Sequence, residues 1–182
     1  KLPILLILGG SQGSQALNKL MLELAPKLVG NWYVVHQLGN PDGSETDSVL
    51  QQLRKLTEQQ QQYVCSAWLS ADDMYWLFRQ DARVVSRSGA NTVYELAITR
   101  TPAVLIPLPN SVRGEQQAHA DWLAKKGGAI VKDQQQLTPQ SLLNAIEQLD
   151  REYRFMQTQL MAVALPTDAT AKLYLLMRYV AT

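Results

Sequence analysis

Cysteine and histidine are almost missing from this chain of 182 residues, which has one of the first and two of the second. A single Cys65 excludes an intrachain disulfide and fits a reducing compartment. It sits in the apolar-bounded run Tyr63-Val64-Cys65-Ser66, the setting of a small core residue more than of a nucleophile. His36 and His119 stand far apart, with no cysteine or paired carboxylate at ligand spacing, so the pattern argues against a zinc site and no metal is expected. No segment reaches the ~18 apolar residues of a membrane span. Leu2 to Leu8 is too short, and the run from Leu173 to Met177 meets the charge of Arg178. A large charge of either sign is missing too. The net charge is +1, which argues against broad electrostatic binding to nucleic acid. There is no Ser-His-Asp set, no Gly-Lys-Ser/Thr of a P-loop, no dinucleotide fingerprint, no Asp-x-Asp and no internal repeat. Signal-peptide character is absent as well: the chain starts almost on a strand without an initiating Met, and the expectation is a piece of a longer protein.

What is present is a globular composition, 46% hydrophobic and 18% charged, in a length that suits one domain with a sizeable core. Short apolar runs alternate with helical periodicity. Ile4 to Leu8, Trp32 to Gln37, Tyr63 to Ser66, Ala82 to Ser86, Ala103 to Pro107 and Ala129 to Val131 read as strands. The continuous apolar run Ile4 to Leu8 suits a parallel strand covered on both faces. Leu17, Leu20, Met21, Leu24 and Leu28 recur at helical spacing. Further helices are expected over Val49 to Gln60, Asp72 to Arg79, Asn91 to Thr99 and Gly114 to Lys126, and after Thr138-Pro139, with a last piece restarting after Pro166. The resulting fold class is α/β, a Rossmann-like doubly wound parallel sheet of about six strands. Ligands of such sheets bind beyond the carboxyl ends of the strands, at the switch point. That directs attention to the loops at Gly9 to Ser14, Gln37 to Gly43, Ala67 to Asp73, Arg87 to Asn91 and Leu108 to Gln117. The glutamine clusters Gln59 to Gln62 and Gln134 to Gln136 read as solvated connectors without chemistry.

The most informative stretch is Arg87-Ser88-Gly89-Ala90-Asn91-Thr92-Val93-Tyr94-Glu95. A strand that ends in small residues before a helix leaves free N–H groups and the positive end of the helix dipole, which favour an anion such as a diphosphate. Glu95 follows Asn91 by one helical turn, on the same face, where a carboxylate can accept from ribose hydroxyls. The competing reading is a buried turn in which Ser88 caps the helix. In Gly9-Gly10-Ser11-Gln12-Gly13 the glycines permit close approach and Ser11 can donate to an oxyanion, although a tight turn explains the same residues. Gln116 and Gln117 at a helix start can read sugar hydroxyls, since an amide both donates and accepts; an exposed helix start is the other reading. His36 ends a strand near the crevice, where a structural role outweighs a ligand contact. Asp72-Asp73 fits N-capping. Trp68, Tyr75 and Trp76 read as packing or surface aromatics, with Trp68 in a loop where a base could rest.

Taken together, Leu8 to Gly13 with Leu17-Asn18, His36-Gln37, Asp72-Asp73-Met74, Arg87 to Ala90 with Thr92 and Glu95, Pro102-Ala103, Ile106-Pro107, Gln116-Gln117 and Asp168-Ala169-Thr170 are collinear over nearly the whole chain. They resemble the C-terminal, donor-binding half of the MurG family of GT-B glycosyltransferases. The resemblance implies a domain over residues 1–165 that binds a UDP-sugar and a C-terminal helix over 166–182 that packs toward a missing N-terminal acceptor-binding domain. It implies an inverting transfer of N-acetylglucosamine from UDP-N-acetylglucosamine to a lipid-linked muramoyl peptide in peptidoglycan synthesis, at the inner face of the bacterial plasma membrane, with no cofactor. It assigns Gly10, Ser11, Gln12, Arg87, Ser88, Gly89, Ala90, Asn91, Thr92, Glu95, Gln116 and Gln117 to the UDP-sugar, with Ser11 and the amides near Ser88 to Thr92 at the diphosphate, Glu95 at the ribose, and Gln116 and Gln117 at the sugar, and it assigns Leu69, Ser70, Ala71 and Met74 to the uracil region. It supplies no catalytic residue in this chain, because the family's presumed base lies in the other half. Two departures bear on the sugar more than on the nucleotide. Ala120-Asp121 stand where the family usually has Asn-Ala, and the loop Asn110 to Gly114 is unusual. A non-catalytic subunit that needs a separate acceptor-domain chain, and a UDP-N-acetylglucosamine 2-epimerase-like isomerase domain, remain as alternatives.

Overall fold

The computed structural model describes residues 2–10, 13–39, 51–52 and 61–163. Most of the expected helix over Val49 to Gln60, and the whole of that after Pro166, fall outside these, as does the boundary between residues 165 and 166. Six strands form one parallel sheet: β1 (Ile4–Leu8), β2 (Tyr33–Gln37), β3 (Tyr63–Ser66), β4 (Arg83–Ser86), β5 (Ala103–Leu105) and β6 (Ala129–Val131). Their order across the sheet is β3-β2-β1-β4-β5-β6. This is the doubly wound order, and its switch point lies between β1 and β4, where the chain leaves in opposite directions and opens a crevice. Leu8 pairs with both Gln37 and Ser86, so β1, β2 and β4 end level with one another.

The period-2 alternation of the strands sorts the core into two layers. Leu5, Ile7, Val34, Val85 and Val104 face α1 (Gln15–Leu28) and α5 (Pro139–Met161). Leu6, Leu8, Val84 and Leu105 face α2 (Ala71–Arg79), α3 (Ala90–Thr99) and α4 (Glu115–Lys125). Both faces of β1 are therefore covered, which is why its sequence is apolar without a break. Local signals set the helix starts. Ser14 accepts from the Leu17 N–H to begin α1. Ser70 and Asp73 form a reciprocal capping box at α2. Thr138 and Ser141 do the same at α5, with Pro139 in its first turn. Helix α5 is clamped to β4 by Arg83, whose Nε lies 2.7 Å from Asp150 and whose guanidinium stacks 4.3 Å from the Tyr153 ring.

Candidate functional site

The loops at the carboxyl edge of the sheet surround an open cavity of about 1030 Å3. The loop between β1 and α1 supplies Gly9, Gly10, Gly13 and Ser14 to its wall. Gly10 has a φ of 85° and open space where a side chain would sit. Gly13 has a φ of 77°, and a Cβ there would lie 2.2 Å from the Leu38 carbonyl oxygen. Only glycine lets the β1–α1 loop close onto the end of β2 at that point. The Leu38 carbonyl is itself held from below, because Asn18 Nδ2 donates to it at 3.4 Å. Asn18 Oδ1 then has to accept, so the facing His36 Nε2, 3.1 Å away, carries the proton. His36 Nδ1 is left as the acceptor for the Tyr63 hydroxyl at 2.8 Å. The ring is fully buried, and desolvation lowers its pKa from 6.5 to about 3. His36 is thus a neutral brace beneath the pocket and does not itself border it.

On the other side of the switch point, Gly89 begins α3 and brings no side chain to cap it. The first-turn residues Ala90, Asn91 and Thr92 border the cavity together with Gly89, and the helix start leaves its N–H groups without a side-chain cap. They present the positive end of the helix dipole to whatever occupies the space. Glu95 stands one turn further along the same wall, and desolvation raises its pKa above the ordinary value. Beside them lies Arg87. Its two terminal nitrogens donate to the carbonyls of Ile106 at 3.1 Å and Pro107 at 3.4 Å, to Ser14 Oγ at 2.7 Å, and to Gln134 Oε1. None of these acceptors carries charge, and among the described residues no carboxylate pairs with Arg87. Ser14 Oγ accepts from both Arg87 and the Leu17 N–H, so its own proton is left to donate, and Ser14 borders the cavity. The far wall, around the start of α2, is apolar: Leu69, Ala71, Met74, Tyr75 and Phe78, with Trp68 at 60% exposure on the rim. One cavity therefore offers an anion-attracting end, a carboxylate and an apolar wall.

The sequence matches the glycosyltransferase family 28 C-terminal domain over residues 4–172. The chain belongs to that family. Two curated relatives carry the name UDP-N-acetylglucosamine–N-acetylmuramyl-(pentapeptide) pyrophosphoryl-undecaprenol N-acetylglucosamine transferase. That of Glaesserella parasuis is 34% identical over 170 residues, 92% of this chain and 45% of the relative. That of Nostoc punctiforme is 34% identical over 182 residues, 98% of this chain and 47% of the relative. Among solved structures, MurG of Acinetobacter baumannii superimposes with a TM-score of 0.73 at 25% identity, over 97% of this chain and 50% of that one. The glycosyltransferase SnogD of Streptomyces nogalater, at 16% identity and a TM-score of 0.57, shares the fold. The chain spans about half the length of the curated relatives it matches.

In this family 28 domain the structure gathers most of the site residues expected from sequence around one cavity: Gly10, Arg87, Gly89, Ala90, Asn91, Thr92, Glu95, Gln116, Leu69, Ala71 and Met74. Ser11 and Gln12 lie outside the described residues. Three others are placed elsewhere, each for a local reason. Ser88 neither caps α3 nor reaches the cavity; it is fully buried, and its hydroxyl donates to the Gln116 carbonyl at 2.8 Å. Ser70 is taken up by its capping box with Asp73, whose carboxylate these bonds hold below its usual pKa. Gln117 turns to Asp121, donating to its carboxylate at 2.8 Å, and borders a separate cavity of about 420 Å3 under the Pro107 to Gly114 loop. The glutamine pair is therefore split. Gln116 stays on the main wall, where its Oε1 accepts from the Leu108 N–H at 3.0 Å and its amide N–H2 remains for a ligand. The reading of Gln134 as a solvated connector is corrected as well. It borders the cavity and holds Arg87. Ser14 ends the Gly9 to Ser14 loop that the sequence marks as a candidate, but is not singled out there as a site residue. Its helix-start signal was there to be read, whereas its bond to Arg87 spans 73 positions.

Proposed function

We propose that this chain is the donor-binding part of an inverting glycosyltransferase that moves N-acetylglucosamine from UDP-N-acetylglucosamine to a lipid-linked muramoyl-peptide acceptor in peptidoglycan synthesis. The observation that carries the reading is the convergence of the uncapped α3 start, Arg87 and Glu95 on one cavity. A nucleoside diphosphate has the matching parts. Its diphosphate suits the α3 N–H groups and the cation, its ribose hydroxyls suit Glu95, and its base suits the apolar wall at Trp68, Leu69 and Met74. The names of the relatives supply the sugar and the acceptor. In the reaction, the acceptor hydroxyl oxygen bonds to the anomeric carbon from the face opposite the diphosphate. The bond from that carbon to the β-phosphate oxygen breaks, and its electron pair leaves with UDP, so the configuration inverts. The hydroxyl proton passes to a base outside this set of residues. The α3 start and Arg87 stabilise the charge that grows on the departing UDP, from positions already fixed before reaction. Among the described residues Glu95 is the only carboxylate on the wall, and an assignment to ribose leaves no acid–base set for the epimerase alternative. The work would take place at the cytoplasmic face of the membrane, on an acceptor held there by its lipid. Among the described residues no helix is long and apolar enough to cross a bilayer.

Calorimetric titration with UDP tests the pocket. Glu95→Ala is expected to weaken UDP binding about tenfold, the cost of hydrogen bonds to a charged acceptor. Equal affinity for both proteins would remove Glu95 from the nucleotide site.

A further inference from the structure

Gln134 lies in the 3-10 turn Gln134–Gln136 that follows β6, outside every motif that marks the pocket. Its neighbour Asp133 is the nearest acid in sequence, but that carboxylate is committed to the turn, where it accepts from the Gln135 N–H at 2.9 Å. The turn thereby presents the amide of Gln134 to Arg87 and keeps the acid away. Arg87 has five N–H donors. Both protons on each terminal nitrogen are taken by the carbonyls of Ile106 and Pro107, the hydroxyl of Ser14 and the amide of Gln134. Only the Nε proton is left, so what the side chain offers the cavity is chiefly its charge. All of its partners are neutral, and partial burial lowers the guanidinium pKa from its ordinary value, as a cation without a counter-charge requires.

We propose that Gln134 is a positioning residue for the anionic part of the ligand: its neutral carbonyl fixes the Arg87 guanidinium at the cavity floor without cancelling its charge. The proposal rests on the nucleoside-diphosphate reading of the pocket and adds a requirement to it. The holder must accept a hydrogen bond and must not be an acid. A carboxylate in the same place would grip Arg87 more firmly and spoil it for a diphosphate, so fold stability and ligand affinity should move in opposite directions.

The test uses the full chain, with UDP and uridine as probes, in wild type, Gln134→Glu and Gln134→Ala. Gln134→Glu is expected to melt no lower than wild type, yet to bind UDP about tenfold more weakly, since an added charge a few ångströms from the phosphates opposes them. Gln134→Ala, which removes one of the four acceptors that hold the guanidinium and leaves its charge, is expected to lose about threefold. Uridine, which carries no phosphate, should bind all three proteins alike. The deficit of Gln134→Glu for UDP should shrink as salt is raised. UDP binding by Gln134→Glu equal to wild type, or better than by Gln134→Ala, would reduce Gln134 to a packing role and overturn the proposal while leaving the pocket reading in place. Failure of the wild-type chain to bind UDP would overturn both.

Discussion

His36 uses both ring nitrogens inside the protein and is neutral there, with a pKa of about 3 against 6.5 for a free side chain. The sign of its contribution follows from proton counting. Between those two values the unfolded chain binds a proton that the folded chain refuses, so stability falls as pH falls. The loss starts near pH 6.5, continues toward pH 3, and has a slope approaching about 1.4 kcal/mol per pH unit. Urea denaturation from pH 7 to pH 5, above the range where most carboxylates titrate, should show this slope in wild type and a flatter one in His36→Gln. Equal slopes would mean that the ring is charged in the fold. At this scale the sequence was an uneven guide. Arg87, Asn91 and Glu95 could be placed because each belongs to one strand–helix junction and needs only local geometry. Gln134 could not, because its role exists only once β6 brings its turn beside a side chain 47 positions earlier. Ser88 misled by one position. The helix is capped one residue later, at Gly89, and the buried Ser88 hydroxyl donates to a carbonyl of α4.

At the scale of elements, the loop between β1 and α1 depends on a contact no side chain can share. Gly13→Ala would place a methyl group 2.2 Å from the Leu38 oxygen at a φ of 77°, and is expected to cost more than about 2 kcal/mol. Gly10→Ala meets open space at a φ of 85°, and should cost only the left-handed backbone penalty of about 1 kcal/mol. Paired thermal melts check the ranking. If the two alanine variants melt together, the Gly13 loop opens at little cost and its closure onto Leu38 does not hold the pocket's edge. Elements were well marked in the sequence. Ile4 to Leu8, Tyr63 to Ser66 and Ala129 to Val131 form strands with the expected limits: β1 is buried and apolar throughout, while β3 and β6 lie at the sheet edges, are only partly buried, and were marked by their short β-branched or aromatic runs. The expected strand from Ala103 to Pro107 stops at Leu105. Ile106 and Pro107 are buried as well, but their carbonyls turn to Arg87 and leave the sheet ladder. An apolar run records burial and is silent on where its carbonyls go.

For the whole molecule, a doubly wound parallel sheet of six strands with its cavity beyond their carboxyl ends followed from the alternation of strands and helices, whereas the order of the strands comes from the structure. What alternation cannot reveal is how an acceptor is held. The chain spans about half the length of its relatives, and its wall carries a single carboxylate among the described residues. The chain alone is therefore expected to bind UDP-N-acetylglucosamine and to transfer no sugar. Joined to an acceptor-binding half, it should yield product from the donor and a lipid-linked acceptor, followed by chromatography of the labelled lipid. Turnover by the chain alone would place the general base within this chain.

The two helical layers of the sheet are unequal, and this has a consequence for how such a protein can change. Behind the sheet, α5 runs 23 residues and is bolted to β4 through Arg83, Asp150 and Tyr153. That helix lends no residue to the cavity, whereas α1 beside it and the three shorter helices in front bring their first turns to its rim. The keel and the working deck are separate timbers. Over generations a lineage can recut the deck for a different cargo, loop by loop, while the hull beneath stays sound.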